Sequence, residues 1–278
     1  MVNIITDSTS DLGPDITAEF NLLVVPLSVT IGGDVYHDGV NLRQKDLFAL
    51  VQEHGELPKT AAPSVGEFTK AFDQPGESIF IGISSKLSAT IQNAILASDM
   101  LPAGQVSVID SLNLSTGVGL LALRAAELRD QGFSAKAIEN EIIASVPKVR
   151  TSFAIDTMEY LYKGGRCTAL QAFAGSVLKI HPIIEVLKDG SLGVKEKARG
   201  TLRKGYQNML DDFEAHLSEL DLQRVFVTHT CSDSEDVQFL VEEVKRIADP
   251  QEVRITQAGS VISSHCGPGT AGILYFVK

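Results

Sequence analysis

Three serines stand where a strand-like run hands over to a helical one. Ser84, Ser85 and Ser88 follow the apolar stretch Ile79–Ile83 and precede Ala89–Met100, whose spacing predicts a helix. Hydroxyls and free N–H groups at a helix N-terminus attract a carboxylate or a phosphate. The structural alternative is that Ser88 caps the helix. A nucleophilic serine is a third reading, but Gly82-Ile83-Ser84 runs into Ser85-Lys86, so the G-x-S-x-G elbow is absent. Of six histidines, His265 is singled out because it lies between Ser263-Ser264 and a Gly-Pro-Gly turn. It reads as a loop residue, either hydrogen-bonded in a structural role or an N–H donor to an anionic ligand. Lys163-Gly164-Gly165-Arg166 places cations after a helix end, where they complement the helix dipole. Arg199 and Arg203, with Lys195, Lys197 and Lys204, form a basic stretch. It is either a solvated face or a docking site for phosphate or an acidic partner.

Other motifs exclude more than they support. Gly267-Pro268-Gly269-Thr270-Ala271-Gly272 matches G-x-G-x-x-G, but a strand-like run follows where a dinucleotide site needs a helix. A tight turn is expected there. Gly117-Val118-Gly119 lies in a helical pattern and reads as close packing. No P-loop, H-x-x-x-H or Cys/His cluster occurs, so neither a P-loop kinase nor a zinc site is expected. With 24 Lys+Arg against 35 Asp+Glu the net charge is -11, which disfavours nucleic acid. Cys167, Cys231 and Cys266 form no C-x-x-C pair and imply a reducing compartment. The first residues lack a basic, then apolar, signal segment. No apolar stretch is long enough to span a bilayer. A soluble, cytoplasmic protein is expected.

The elements that must hold these residues alternate. Val2–Ile5, Leu22–Pro26, Ile79–Ile83 and Val106–Ile109 read as strands. Helices are expected over Leu42–His54, from Ser64, over Ala89–Met100 and Leu114–Gln131, and from Ser134 to about Val146. Ser64-x-x-Glu67 is a capping-box pattern, and Gly55 and Gly132 are helix stops. This order predicts an α/β unit with a parallel sheet covered by helices on both faces, the ligand lying at the carboxyl ends of the strands. Three of those strands run into hydroxyl-rich segments: Thr6–Ser10, Ser84–Ser88 and Asp110–Ser111. The second half reads differently. Ile180–Leu187 and Leu192–Lys197 flank an Asp189-Gly190 hairpin signal. An α+β unit with a mixed or antiparallel sheet is expected. The boundary is placed near Val149, giving domains 1–149 and 150–278.

Five segments, taken in order and spacing, resemble the DegV family. They are Asp7-Ser8-Thr9-Ser10-Asp11, Lys59-Thr60-Ala61-Ala62-Pro63-Ser64, Ile83-Ser84-Ser85-Lys86-Leu87-Ser88-Ala89-Thr90, Tyr160-Leu161-Tyr162-Lys163-Gly164-Gly165-Arg166 and His265-Cys266-Gly267-Pro268-Gly269-Thr270. The resemblance covers essentially the whole chain. It implies a bacterial fatty-acid-binding protein of two α/β domains with one acyl chain buried between them. Such proteins present the acid to an ATP-dependent fatty-acid kinase. The implied protein is a carrier rather than an enzyme, with no cofactor. Its implied ligand is a long-chain, palmitate-like fatty acid, and its membrane contact is at most transient. Residue by residue, Thr60 and Ser88 match carboxylate ligands and His265 completes the head-group site. Arg166 matches the Arg after Gly-Gly, Arg199 resembles a second-domain Arg associated with phosphate and kinase contact, and the resemblance implies phosphate or kinase contact for both Arg166 and Arg199. Two departures are Ala61-Ala62, where many members have Ser-Gln, and Ala89-Thr90-Ile91-Gln92-Asn93-Ala94, where many have Gly-Thr-Tyr/Phe-Gln-Ser-Ala.

The implied chemistry is physically sound. A carboxylate taken from water needs hydrogen bonds to offset its desolvation. Tail burial, at about 0.8 kcal/mol per methylene, supplies the affinity. Two rival readings stand beside it. One is a serine hydrolase or acyltransferase using a loop Ser with His265. The other is a regulatory module whose interior is packed solid.

Overall fold

Successive residues of one short strand face two different helix layers. The computed structural model describes residues 2–167, 180–230 and 234–278, and its first strand, β1, is Asn3–Asp7. Ile4 is buried with Ile79, Ile81, Leu121 and Ile138, whereas Ile5 is buried with Phe80, Phe68 and Phe72. A strand apolar on both faces requires cover on both.

The cover comes from the alternation itself. The first half runs β1, α1 (Gly13–Glu19), β2 (Leu22–Val25), β3 (Ser28–Ile31), β4 (Asp34–His37), α2 (Gln44–His54), β5 (Lys59–Ala61) and α3 (Val65–Phe72). It continues with β6 (Ser78–Gly82), α4 (Thr90–Ser98), β7 (Val106–Asp110), α5 (Thr116–Asp130) and α6 (Ala135–Ser145). The sheet order is β2-β1-β6-β7 and every pairing is parallel. Residues of α5 and α6 fill one face, those of α3 and α4 the other. Local signals set the helix ends. Ser64 and Glu67 form the capping box of α3, Ser134 accepts from the Ala137 N–H, and Gly55 ends α2 at φ 66°.

The second half runs β8 (Val149–Ala154), α7 (Glu159–Lys163), β9 (Ile180–Val186), β10 (Leu192–Arg199), α8 (Leu202–Ala215) and β11 (Leu220–His229). It ends with α9 (Ser234–Ala248), β12 (Glu252–Gln257), α10 (Ser260–Cys266) and β13 (Ala271–Val277). Its six strands lie in the order β10-β9-β8-β13-β11-β12, with only β11 and β12 parallel among those pairs. The Asp-Gly hairpin joins β9 to β10 as expected. The Gly-rich segment at 267–272 is a turn: Gly267 and Gly269 both take φ 74°, a helix precedes them and a strand follows. That order is the reverse of a dinucleotide site. Gly119 lies in α5, where a Cβ would sit 2.6 Å from Leu12 Cδ2, so close packing explains it.

Three features depart from the sequence expectation. Residues 28–61 form an additional antiparallel sheet, β4-β3-β5, of strands only three or four residues long; β3 alternates Ser-Val-Thr-Ile, but four residues are too few to announce a strand on their own. Helix α1 is also unforeseen. His265 is not on a loop but in the last turn of α10. The Ser and β-branched residues of Ser260-Val261-Ile262-Ser263-Ser264 are poor helix formers, so no local signal announces that helix.

The two halves are laced together by charge. Glu19 holds Arg254 through two contacts of 2.8 and 2.9 Å, and Arg224 holds Glu127 at 2.9 Å. Glu252 lies between the two arginines and bonds both. Phe68, Phe72 and Phe80 anchor the α3–α4 face with ring centroids 5.0–5.7 Å apart. Phe68→Ala is expected to lower unfolding free energy by about 3–5 kcal/mol. Urea denaturation should show this as a lower midpoint at unchanged slope.

Candidate functional site

Two buried carboxylates seat helix α10. Asp11 Oδ1 accepts the Gly259 N–H at 2.8 Å, and Asp38 Oδ1 accepts the Ser260 N–H at 2.6 Å and its hydroxyl at 2.7 Å. Negative charge at a helix start also complements its dipole. The helix then carries His265 to β5. There His265 Nε2 and Thr60 Oγ1 lie 2.8 Å apart, although 205 residues separate them in sequence. Thr60 is positioned by its pairing with Val29 of β3.

Ser88 stands in the turn before α4. Ala89, not Ser88, occupies the cap position and makes no side-chain cap bond. Ser88 Oγ accepts the Thr90 N–H at 3.3 Å and lies 2.8 Å from the Thr90 hydroxyl. Asn93, one of the departures noted above, donates to the Pro63 carbonyl at 2.8 Å and so ties α4 to the segment after Thr60. Arg166 follows α7. Its guanidinium donates to the carbonyls of Gly164 at 2.5 Å and Leu87 at 3.4 Å.

Thr60, Ser88, His265 and Arg166 all line one cavity of about 220 Å³. Ala62 and Ala89 line it too, and the rest of the wall is largely aliphatic, including Leu27, Ile83, Leu87, Leu161 and Leu192. Arg199 is not brought there. It is exposed at the end of β10, opposite Ile180. Arg166, expected at a phosphate or kinase contact, lines the cavity together with Thr60, Ser88 and His265, which the sequence did not convey. The Asp11 and Asp38 carboxylates were also missed as positioning groups; the signal was Asp11 closing the acidic, hydroxyl-rich Asp7–Asp11 segment.

Burial dominates the electrostatics. Desolvation, reinforced by the Arg166 charge, pushes the His265 imidazole down to about 4. The ring is therefore neutral at physiological pH. Its Nδ1 is buried with no hydrogen-bond partner among the described residues, and it packs so close to Gly164 that a Cβ there would lie 2.5 Å away. Asp7, Asp11 and Asp38 are all raised, first by desolvation; Asp7 reaches about 6. Desolvation also lifts the Cys266 thiol to about 12, so it stays protonated. Cys167 and Cys266 are both buried, the Cys167 thiol lying 3.7 Å from the Leu192 carbonyl, and Cys231 lies outside the described residues. Among the described residues no group of three or more His, Cys, Asp or Glu could hold a metal ion.

The cavity therefore offers both aliphatic surface and the polar side chains of Thr60, Ser88, His265 and Arg166. The family model "Uncharacterised protein, DegV family" matches residues 1–278. The chain belongs to the DegV family. A DegV domain-containing protein of Caldanaerobacter subterraneus is 33% identical over 286 residues, covering 100% of this chain and 99% of that one. A Thermus thermophilus DegV family protein, described as fatty acid binding, superimposes with a TM-score of 0.92 at 32% identity, covering 100% of this chain and 99% of that one. The Streptococcus pneumoniae Fatty Acid Kinase (Fak) B3 protein, loaded with linoleic acid, shares the fold at 23% identity with a TM-score of 0.88. That alignment covers all (100%) of both chains.

The histidine shift has a sign that can be checked. The folded pKa lies below the unfolded one, so His265 costs no stability above about pH 6.5. The cost grows as pH falls toward 4, because only the unfolded ring takes the proton. Asp7 acts oppositely in much of the same window: its penalty is present above about 6 and relieved on acidification. NMR titration of imidazole nitrogens should give His265 a midpoint near 4. Arg166→Gln should raise that midpoint, and an unchanged midpoint would show that the guanidinium does not act on the ring.

Proposed function

We propose that this protein binds one long-chain, palmitate-like fatty acid between two units divided near Val149 and presents its carboxylate to a fatty-acid kinase. One observation carries this reading: Thr60, Ser88, His265 and Arg166 all line the same mostly aliphatic cavity. With His265 as its Nε2–H tautomer, the ring donates to Thr60 Oγ1, and the Thr60 hydroxyl is free to donate into the cavity. With the Thr90 N–H and the Thr90 hydroxyl both donating to Ser88 Oγ, the Ser88 O–H is left to donate into the cavity as well. Arg166 adds the positive charge that offsets desolvation of a carboxylate. Aliphatic walls take the tail.

The kinase partnership draws on the Streptococcus pneumoniae relative and on Arg199. Lys195 is paired with Asp212 and Glu185, and Arg203 with Asp236. Arg199 is exposed and makes no ion pair among the described residues, so it is available to an anionic group on a partner. No described helix is long and apolar enough to cross a membrane. The proposed setting is cytoplasmic, with at most transient contact with a membrane surface.

The hydrolase reading fits the geometry less well. Nucleophilic catalysis needs a Ser–His hydrogen bond and a group orienting the ring. Here His265 Nε2 meets Thr60, and its Nδ1 has no carboxylate among the described residues. Ser84 Oγ is held by the Gly190 carbonyl at 2.8 Å.

Mass spectrometry of an organic extract of the denatured protein should find about one fatty acid per chain. Ser88→Ala is expected to raise the fatty-acid Kd about ten- to a hundredfold. Ser88→Ala combined with His265→Ala should abolish retention, and an unchanged lipid content in that double variant would refute the site. Arg199→Ala should lower phosphorylation of the bound acid by a fatty-acid kinase while leaving lipid content unchanged. Full phosphorylation by that variant would refute the docking role.

A further inference from the structure

Three aspartates are buried together beneath the start of α10. Asp7 ends β1, Asp11 follows in the next turn and Asp38 comes just after β4, and each is at most 4% exposed. None is paired with a Lys, Arg or His among the described residues. Asp11 and Asp38 accept the consecutive N–H groups of Gly259 and Ser260. A Cβ on Gly259 would meet Asp38 at 2.7 and 2.9 Å and Asp11 at 3.2 Å, so both carboxylates press on one backbone position. Asp38 is close enough to raise Asp7 and Asp11, and Asp7 to raise Asp11.

Their hydrogen bonds are unequal. Asp7 Oδ1 accepts the Thr9 N–H and hydroxyl, and its Oδ2 accepts the Ile83 N–H at 2.9 Å. Asp11 Oδ2 accepts the Ser115 hydroxyl at 2.5 Å. Asp38 Oδ1 takes both bonds from Ser260, while its Oδ2 is buried without a hydrogen bond of normal geometry to a described residue. The Ser8 hydroxyl and the Val261 amide offset the burial only in part. One negative charge at the start of α10 complements its dipole; three without a counter-ion are unfavourable. Among the described residues these acids form no group able to hold a metal ion, so a proton is what can relieve the charge.

Other titratable groups around α10 do not take that role. Cys266 is already protonated, and His265, at the far end of the helix, is held neutral by burial and Arg166. Lys59, Glu159, Tyr160 and Lys163 line a separate cleft beside Ser264. Lys45, Glu53 and His54 of α2 are exposed, Asp46 is held by Arg43, and His37 acts on Glu67.

We infer that Asp7, Asp11 and Asp38 hold a proton between them at neutral pH, and that losing it loosens the seat of α10 and with it the grip on the fatty-acid carboxylate. This rests on the fatty-acid reading above and names a proton-linked control of the same site. A second full charge beside the first repels it through a poorly solvated interior, and the first turn of α10 must move to admit water. An acid raised by burial disfavours the seated state above its folded pKa and is relieved as pH falls; Asp7 crosses that point at about 6. Retention should therefore weaken as pH rises.

Asp38→Asn imitates the protonated acid with little change of shape. Its Oδ1 keeps both bonds from Ser260, and the new amide nitrogen replaces the oxygen that lacks a partner. Palmitic-acid binding and thermal unfolding of the purified full-length chain and this variant are compared between about pH 5.5 and pH 8.5. One linked proton changes Kd by at most about tenfold per pH unit, and the unmodified chain should lose about tenfold in affinity across the range. Asp38→Asn should flatten that profile and melt above the unmodified chain at the alkaline end. A carboxylate needed only for structure would instead leave the variant less stable at every pH. Ionisation of palmitic acid itself affects both proteins alike. Infrared spectroscopy at neutral pH should show the carbonyl stretch of a buried neutral carboxyl group, diminished in the variant. Parallel pH profiles with no neutral-carboxyl band overturn the inference and leave the carrier reading intact. No palmitic-acid binding at any pH overturns the carrier reading, and the infrared band and melting temperatures then decide the proton on their own. If Asp38→Asn fails to fold, Asp11→Asn, whose amide can donate to Ser115 Oγ, takes its place.

Discussion

The seating of α10 on buried carboxylates is the interaction on which the rest of the site depends. Asp11 and Asp38 come from the first forty residues, and the helix they hold comes from the last twenty. Burial raises both acids, so their placement is unfavourable in isolation. The hydrogen bonds from Gly259, Ser260 and Ser115 offset part of that cost. A short helix built from serines and β-branched residues has little stability of its own. It exists because the other half of the chain supplies the acceptors at its start. His265 then falls over Thr60 as a geometric consequence.

The polar groups lining the cavity are each held in place before any ligand arrives. Thr60 is in a strand, Ser88 is fixed by Thr90, His265 by Thr60, and Arg166 by two carbonyls. Groups that are already oriented lose little entropy on binding. The low pKa of His265 belongs to the same design. A protonated imidazole beside Arg166 would be a second cation in a poorly solvated place, so the ring stays neutral and acts through hydrogen bonding.

The hairpin after β9 closes the arrangement from the opposite side. Gly190 takes φ 83° and accepts the Ser84 hydroxyl through its carbonyl. A Cβ there would fall 2.3 Å from Ser84 Oγ, so glycine is required by space as well as by backbone conformation. Leu192, just beyond, reaches the cavity wall. The Asp110–Ser115 segment faces the same region. Asp11 bonds both Ser115 and Gly259, so one carboxylate links the start of α5 to the start of α10.

Strong local patterns were legible in the chain alone. The Ser64–Glu67 capping box, the Gly55 helix stop, the Asp189-Gly190 turn and the alternation of β1 through β7 with helices all act over a few residues. Composition and spacing also excluded a P-loop and a zinc cluster. The five motifs carried the family, and with it the pairing of Thr60, Ser88 and His265 as candidates. What the sequence could not convey depends on contacts between distant segments. The sheet of β3, β4 and β5 has strands of three or four residues that pair only when brought together. Helix α10 has no local signal because its support lies more than two hundred residues away. Arg166 joined the hydroxyls, and Arg199 did not, because the chain's path in space, rather than spacing along it, decides which charges line a cavity.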